Sequence, residues 1–119
     1  MKQSLLSILF LLVPMLASAE TVEIDGICYN LITKGKQAEV TRNTNGYVGD
    51  IVIPSDVTYE GITYSVTSIA KSAFFQCKRM SSLTLPNSIN SIGASAFAYC
   101  EALDTVVIPK NVTVIEDMA

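Results

Sequence analysis

Few side chains in this 119-residue chain could do chemistry. It contains no histidine and three cysteines, Cys28, Cys77 and Cys100. Without histidine, Ser-His-Asp and Cys-His catalysis and His-bearing zinc sites are excluded, and three thiols cannot complete a four-thiolate site. The Asp, Glu, Ser and Tyr residues form no recognisable catalytic motif. We therefore expect no enzymatic activity, no metal site and no cofactor.

Two of the cysteines occupy the same place in a repeated pattern. Cys77 follows Ala73-Phe74 by three residues, and Cys100 follows Ala96-Phe97 by three. Because a free cysteine packs as a small hydrophobe, we predict that both thiols are reduced and buried beside core phenylalanines. A disulfide is the alternative, since exported proteins form them and stacked units would bring the two Cα atoms to about 5 Å.

The 23-residue spacing extends well beyond the cysteines. Ile69 recurs as Ile92 and Ile115, and Pro86 recurs as Pro109. A fixed period in which apolar residues recur at the same positions predicts a solenoid, in which each coil buries its apolar face against the next coil. The predicted boundaries are a first coil from 51 with an inserted hairpin at 55–65, a second at 66–88, a third at 89–111 and a partial coil at 112–119.

Each coil contains segments of two kinds. Residues 83–85 and 106–108 are short apolar runs that end at proline, which predicts strands stacked in parallel from coil to coil. Residues 70–77 are long enough for one or two helical turns, and Gly93 is expected to ease the turn into the copy of that segment. The coil strand at 105–108 would then leave an open edge, which predicts self-association at the C-terminal repeat.

The segment before the repeats has two parts. Residues 1–19 combine Lys2, an apolar run and Ala17-Ser-Ala19, which predicts a secretory signal peptide cleaved after Ala19. A membrane anchor is the alternative, but the run is shorter than a membrane span needs. Residues 20–50 are rich in strand-forming residues, with turns at Asp25-Gly26 and 34–36, and predict an antiparallel β cap. The protein is thus expected to be exported, to the periplasm, the cell surface or the medium, with no membrane insertion after cleavage.

The repeat pattern Val-Thr-Ser-Ile-x-x-x-Ala-Phe-x-x-Cys at 66–77, with its copy at 89–100, resembles the BspA-like leucine-rich repeats, also called the Treponema pallidum type. The resemblance implies a right-handed solenoid with a parallel β-sheet. With the segments above, the expected fold is an α/β repeat with short helical turns and an N-terminal β cap. The family motif carries no catalytic residues, and its members are linked to adhesion and to binding of host proteins.

A binding role would depend on a surface, which strand alternation defines. The inserted hairpin places two tyrosines around Gly61, where they could form a rim. The predicted partner-binding face consists of Asp50, Val52, Ser82, Thr84, Thr105 and Val107, with Tyr59 and Tyr64 at its rim. The alternative is an ordinary parallel sheet face that binds nothing.

The chain is acidic, with a formal net charge of −3 at pH 7 and scattered basic residues. Nucleic-acid binding needs clustered lysine and arginine, so the charge argues against it. We expect an exported, non-enzymatic binding module for cell-surface adhesion or for a host protein or glycan. The alternative is a truncated structural end-piece of a longer repeat array with no binding role of its own.

Overall fold

The computed structural model describes residues 19–119, with side chains from Thr21 onward. The predicted signal peptide therefore lies outside the described residues, except for Ala19. Within the described range the chain forms nine strands and no helix, so no helix there could cross a membrane. The strands are β1 (Ala19–Ile24), β2 (Ile27–Ile32), β3 (Gln37–Thr41), β4 (Gly49–Val52), β5 (Asp56–Tyr59), β6 (Ile62–Ile69), β7 (Met80–Thr84), β8 (Ser91–Ile92) and β9 (Val114–Ile115).

The first three strands form the antiparallel cap that the sequence predicts. Strand β1 pairs with β2, and β2 pairs with β3. The first turn has Asp25 at φ 52° and Gly26 at φ 83°. Positive φ at both central residues is the geometry that matches the twist of a two-residue hairpin, and Asp-Gly favours it. Strand β3 then pairs in parallel with β6, so the cap continues directly into the repeat sheet.

The repeat period sets the register of the larger sheet. Its strand order is β1-β2-β3-β6-β8-β9, with β5 also paired to β6. Ile69 pairs with Ile92, and Ile92 pairs with Ile115, all in parallel. The side chains of Ile69 and Ile92 are buried, so equivalent residues of successive coils stack into one core. A second, two-stranded parallel sheet joins β4 and β7.

The segment predicted to be helical has a different structure, because its backbone bonds the next coil. The N–H groups of Ser72, Phe74 and Gln76 donate to the carbonyls of residues 94, 96 and 98, at 2.9–3.0 Å. A helix would have used these donors within its own coil. Positive φ angles at Ser72 and Gln76 recur at Ser95 and Tyr99, so the same series of turns is repeated. The prediction of helical turns was wrong.

The strand predicted at 105–108 is also absent. Its Val-Val-Ile composition favours a strand, but a strand needs a hydrogen-bonded neighbour, and no ladder joins this stretch to β7. Val107 is 82% exposed and Ile108 is 42% exposed, so neither side chain is buried in the core. The open edge at the C-terminal repeat is therefore β9 of the larger sheet.

A column of aromatic rings passes through the core. Phe74 is fully buried, with its ring centroid 5.0 Å from that of Tyr47 and 5.7 Å from that of Phe97. The Tyr47 hydroxyl donates to the Thr41 carbonyl at 2.8 Å and accepts from the Cys28 N–H at 3.1 Å. Burial raises the pKa of Tyr47, which keeps this donor protonated. Tyr47, which joins the cap to the buried Phe74 ring, was not predicted from the sequence.

The three cysteines are free. Cys77 is buried, whereas Cys100 is only half-buried and donates from Sγ to the Phe74 carbonyl at 3.0 Å. The expectation that both thiols of the pair are fully buried is therefore wrong for Cys100. Burial raises the pKa of the Cys28 and Cys100 thiols.

Thiol labelling of the folded protein at neutral pH is expected to be slow at all three cysteines. The thiolate is the reactive form, and a raised pKa leaves less of it at a given pH, while Cys77 is shielded from reagent. Unfolding restores the ordinary pKa and the exposure, so labelling in denaturant should be fast and should add three labels. An intact mass two hydrogens short, with a peptide linking Cys77 to Cys100, would contradict free thiols.

Candidate functional site

The candidate binding face lies on the small parallel sheet. Asp50 pairs with Ser82, and Val52 pairs with Thr84, and all four side chains are exposed. Between them Leu83 is buried and Ile51 is half-buried against the core. Alternation along β4, and from Ser82 to Thr84 in β7 after the register shift at Ser81, thus presents four side chains on one surface.

Asp50 is held in place by two hydroxyl groups. Ser82 Oγ donates to Asp50 Oδ1 at 2.8 Å, and Ser81 Oγ donates to the same oxygen at 3.2 Å. Both donors use Oδ1, so Oδ2 remains available to a partner. Ser81 was not predicted for the face. It is the extra residue at the register shift between β4 and β7, and the only signal for it in the sequence is its position next to Ser82.

Thr105 and Val107 are exposed, but the structure does not join them to this pair of strands. Their stretch follows in the next coil and has no ladder with β7. The structure therefore brings together four of the six residues predicted for the face.

The predicted tyrosine rim is wrong for Tyr64. The hairpin at 55–65 does form, as β5 and β6, but Tyr64 is only 4% exposed. It lies on the same side of β6 as Val66, which is fully buried, because alternate residues share a face. Tyr59 is half-buried and packs against the core. Both belong to the larger sheet, so the hairpin packs as part of that sheet and does not project from the coil.

An open hollow of about 340 Å³ adjoins the face, between the cap and β4. Asp25 of the first cap turn and Asp50 both line it, together with the exposed side chains of Val48 and Val52. The hollow therefore combines two carboxylates with two apolar groups. It depends on how the cap hairpin packs beside β4, which the sequence could not reveal. Among residues 19–119 no group of three cysteine, aspartate or glutamate side chains is placed to hold a metal ion.

Replacing Thr84 and Val107 with lysine is expected to leave the fold intact. Both side chains are exposed, and surface substitutions away from caps and buried groups change stability by about 0.5 kcal/mol or less. Thermal melts followed by circular dichroism check this, with Phe97→Ala as a destabilised reference. A double variant that unfolds as readily as the Phe97→Ala variant would mean that the strand register is off by one residue.

Comparison with known proteins gives one consistent result. Residues 49–119 match the family model that is described as a BspA-type leucine-rich repeat region of six copies. A leucine-rich repeat protein from Bacteroides capillosus is 33% identical, with a TM-score of 0.72 over 82% of this chain and 71% of its own. No curated protein matches the chain.

Two further solved structures are similar over most of this chain but are longer. A leucine-rich cell surface protein from Faecalibacterium prausnitzii is 25% identical, with a TM-score of 0.67 over 81% of this chain and 26% of its own. The T. pallidum leucine-rich repeat protein is 26% identical, with a TM-score of 0.63 over 81% of this chain and 42% of its own. This chain thus spans less than half the length of either protein. By its repeat and its fold, it belongs to the BspA-type leucine-rich-repeat family.

Proposed function

We propose that the protein is an exported, non-enzymatic binding module that acts at the cell surface in adhesion or in contact with a host protein or glycan. The observation that carries the proposal is the face of Asp50, Val52, Ser82 and Thr84 on two hydrogen-bonded strands. Solenoid sheets offer extended binding surfaces of this kind. We further propose that the solenoid is right-handed, in keeping with the handedness of parallel crossover connections.

The hollow beside the face indicates the chemistry of the partner. Asp25 and Asp50 supply negative charge, and Asp50 is already oriented by two hydroxyl donors. Val48 and Val52 supply exposed apolar surface next to it. A partner that places a basic group beside an apolar one would satisfy both features, because complementary charges fix orientation and apolar burial adds affinity.

Export is part of the proposal, and two observations support it. Residues 1–19 have the composition of a secretory signal peptide. A relative from Faecalibacterium prausnitzii is described as a cell surface protein. Cleavage after Ala19 would remove the first residue of β1 and leave the rest of its pairing with β2 intact.

A capture experiment tests the binding role. The purified protein would be passed over immobilised extracellular matrix proteins and mucin glycans, with binding read by surface plasmon resonance. We expect saturable binding to at least one of them. No saturable binding to any of them would contradict the proposal and favour a structural role within a longer repeat array.

We also propose that the protein self-associates through its last coil. Ile115 and Met118 are 56% and 77% exposed, and Ile108 and Val114 are also exposed. Val114 and Ile115 form β9, the strand at one edge of the larger sheet, and Met118 follows it by three residues. Two copies of this surface would cover one another.

Sedimentation velocity at micromolar concentration is expected to show dimers or larger species that dissociate on dilution. Ile115→Lys should shift the distribution to monomer, because it places a charge in the apolar contact. Val48→Lys, at an exposed valine in the hollow beside β4, serves as the matched control and should leave the distribution unchanged. A monomer at every concentration would overturn the proposal.

A further inference from the structure

The turn segments of two coils carry an aromatic and cationic cluster that the sheet face does not include. Arg42 Cζ lies 5.9 Å from the centroid of the Phe75 ring. The Phe75 ring meets the Tyr99 ring edge-on, with the centroids 5.6 Å apart and the planes at 86°. Tyr99 is 62% exposed, so most of its ring is open to a ligand. Arg42, Phe75 and Tyr99 therefore form a row along the surface.

Two adjoining clefts run beside this row. One, of about 230 Å³, is lined by Arg42, Phe75, Asn45 and Gln76 among others. The second, of about 150 Å³, shares Asn45 and Gln76 and extends to Lys78 and Arg79. Each is smaller than the roughly 300 Å³ at which sites for drug-sized ligands begin, which suits single sugar rings placed side by side.

The charge of the cluster differs from that of the whole protein. The chain has eight lysines and arginines against eleven acidic residues, yet Arg42, Lys78 and Arg79 all line these two clefts. The carboxylate of Glu101 lies 3.8 Å from the Lys78 ammonium and offsets its charge at the second cleft. The two arginines therefore supply the positive charge for a ligand.

The chemistry of these groups identifies the ligand class. The negative face of an aromatic ring attracts the polarised C–H bonds of a sugar, and side-chain amides bond its hydroxyl groups. A guanidinium that stacks on a ring through its face keeps its N–H edges free for a carboxylate. Tyr99 lies outside the two clefts, and its exposed ring meets the ring of Phe75, which lines the first cleft. We propose that the clefts and the Tyr99 ring together form a second binding site, for an acidic glycan whose neutral ring stacks on Tyr99 and whose carboxylate reaches Arg42.

The site goes beyond the proposed binding role of the sheet face, because the side chains that would contact the sugar, Arg42 and Tyr99, lie outside that face. The second cleft adjoins the hollow beside the face and shares Val48 with it. Two matched pairs of probes distinguish the sources of an acidic sugar. Sialyllactose is compared with lactose, and a hyaluronan tetrasaccharide with neutral chitotetraose. Titration followed by amide chemical shifts locates binding through the signals of Asn45, Gln76 and Tyr99.

At least one acidic probe is expected to bind about tenfold more tightly than its neutral counterpart, the size of one charge-assisted contact. Arg42→Gln should remove that preference, and Tyr99→Ala should weaken binding about tenfold. Lys110→Gln, an equal charge change outside the clefts, and Tyr99→Phe, which keeps the ring, should bind as the wild type does. Tyr99 is exposed, so a thermal melt of the Tyr99→Ala variant should show an intact fold.

Equal affinity for acidic and neutral probes would contradict the proposed site. Wild-type affinity of the Arg42→Gln variant for the acidic probe would contradict it too. Shifts confined to Ser82 and Thr84 would overturn it as well, while leaving the sheet face as a binding surface. Failure of the capture by matrix proteins, in contrast, would leave this site standing, because its own test uses free acidic sugars and the signals of Asn45, Gln76 and Tyr99.

Discussion

Phe74→Ala is expected to lower the free energy of unfolding by about 3–5 kcal/mol, the range for removing a fully buried aromatic side chain. The Phe74 ring is fully buried between the rings of Tyr47 and Phe97, so its loss leaves a cavity at the junction of the cap with the coils. A domain of this size has a total stability of only about 5–10 kcal/mol. Urea titration followed by circular dichroism should show the variant partly or wholly unfolded in water.

Phe97→Ala is the matched comparison, because Phe97 occupies the same position one coil later but is only half-buried. Its loss is expected to cost less, roughly 1–3 kcal/mol, in proportion to the smaller apolar area removed from the core. Equal losses for the two variants would contradict the account of a core that is tightest at the cap and looser toward the last coil.

Gly93→Ala is expected to destabilise the protein by at least about 2 kcal/mol through overpacking. A Cβ at Gly93 would lie 2.5 Å from the Lys71 nitrogen and 2.8 Å from the Ala70 carbonyl carbon. Both are backbone atoms of the preceding coil, which cannot move aside without breaking the bond from the Gly93 N–H to the Ile69 carbonyl. The glycine is therefore needed for close approach of two coils, and the idea that it merely eases a turn is wrong.

The direction of this effect is informative, because Gly→Ala at an unstrained site usually stabilises a protein by about 0.4–1 kcal/mol. Ala70→Gly, at the equivalent position of the preceding coil, is the control and should cost only about 1 kcal/mol. Denaturant midpoints measured for both variants check the pair. A stabilised Gly93→Ala variant would mean that the two coils are farther apart than the structure has them.

The repeat period predicted the features that depend on stacking. The alignment of Ile69, Ile92 and Ile115 in one parallel sheet follows directly from their 23-residue spacing, since equivalent residues of a solenoid lie above one another. The Asp25-Gly26 turn was equally predictable, because few residue pairs fit positive φ at two successive positions.

Features that depend on local backbone choice were not predictable in this way. Residues 70–77 have a composition that is compatible with a helix. Their alternate backbone N–H groups nevertheless donate hydrogen bonds to the next coil, and Ser72 adopts a positive φ in this series of turns. Tyr64 lies in an insert that has no second copy, so no repeat indicated which side of the strand it faces. Tyr47 precedes the repeat, and only the folded cap brings its hydroxyl to Thr41 and Cys28.

The candidate sites also combine features that the sequence predicts with features that it does not. Alternation predicted the exposure of Asp50, Val52, Ser82 and Thr84, because it depends only on which neighbours are buried. The hollow between Asp25 and Asp50, and the row of Arg42, Phe75 and Tyr99, bring together residues from separate segments. Such sites depend on packing between elements, so they cannot be predicted from any single stretch of sequence.

The binding role of the sheet face is tested most directly by the affinity of one double variant for a captured matrix protein or mucin glycan. Surface plasmon resonance would compare wild type with Thr84→Lys/Val107→Lys, and with Thr33→Lys in an exposed turn of the cap as the matched control. The double variant is expected to lose at least about tenfold in affinity, because a lysine on the face at Thr84, with a second one in the following coil at Val107, opposes a partner that complements Asp50. The control should bind as the wild type does. Unchanged affinity in a folded double variant would contradict binding through this face.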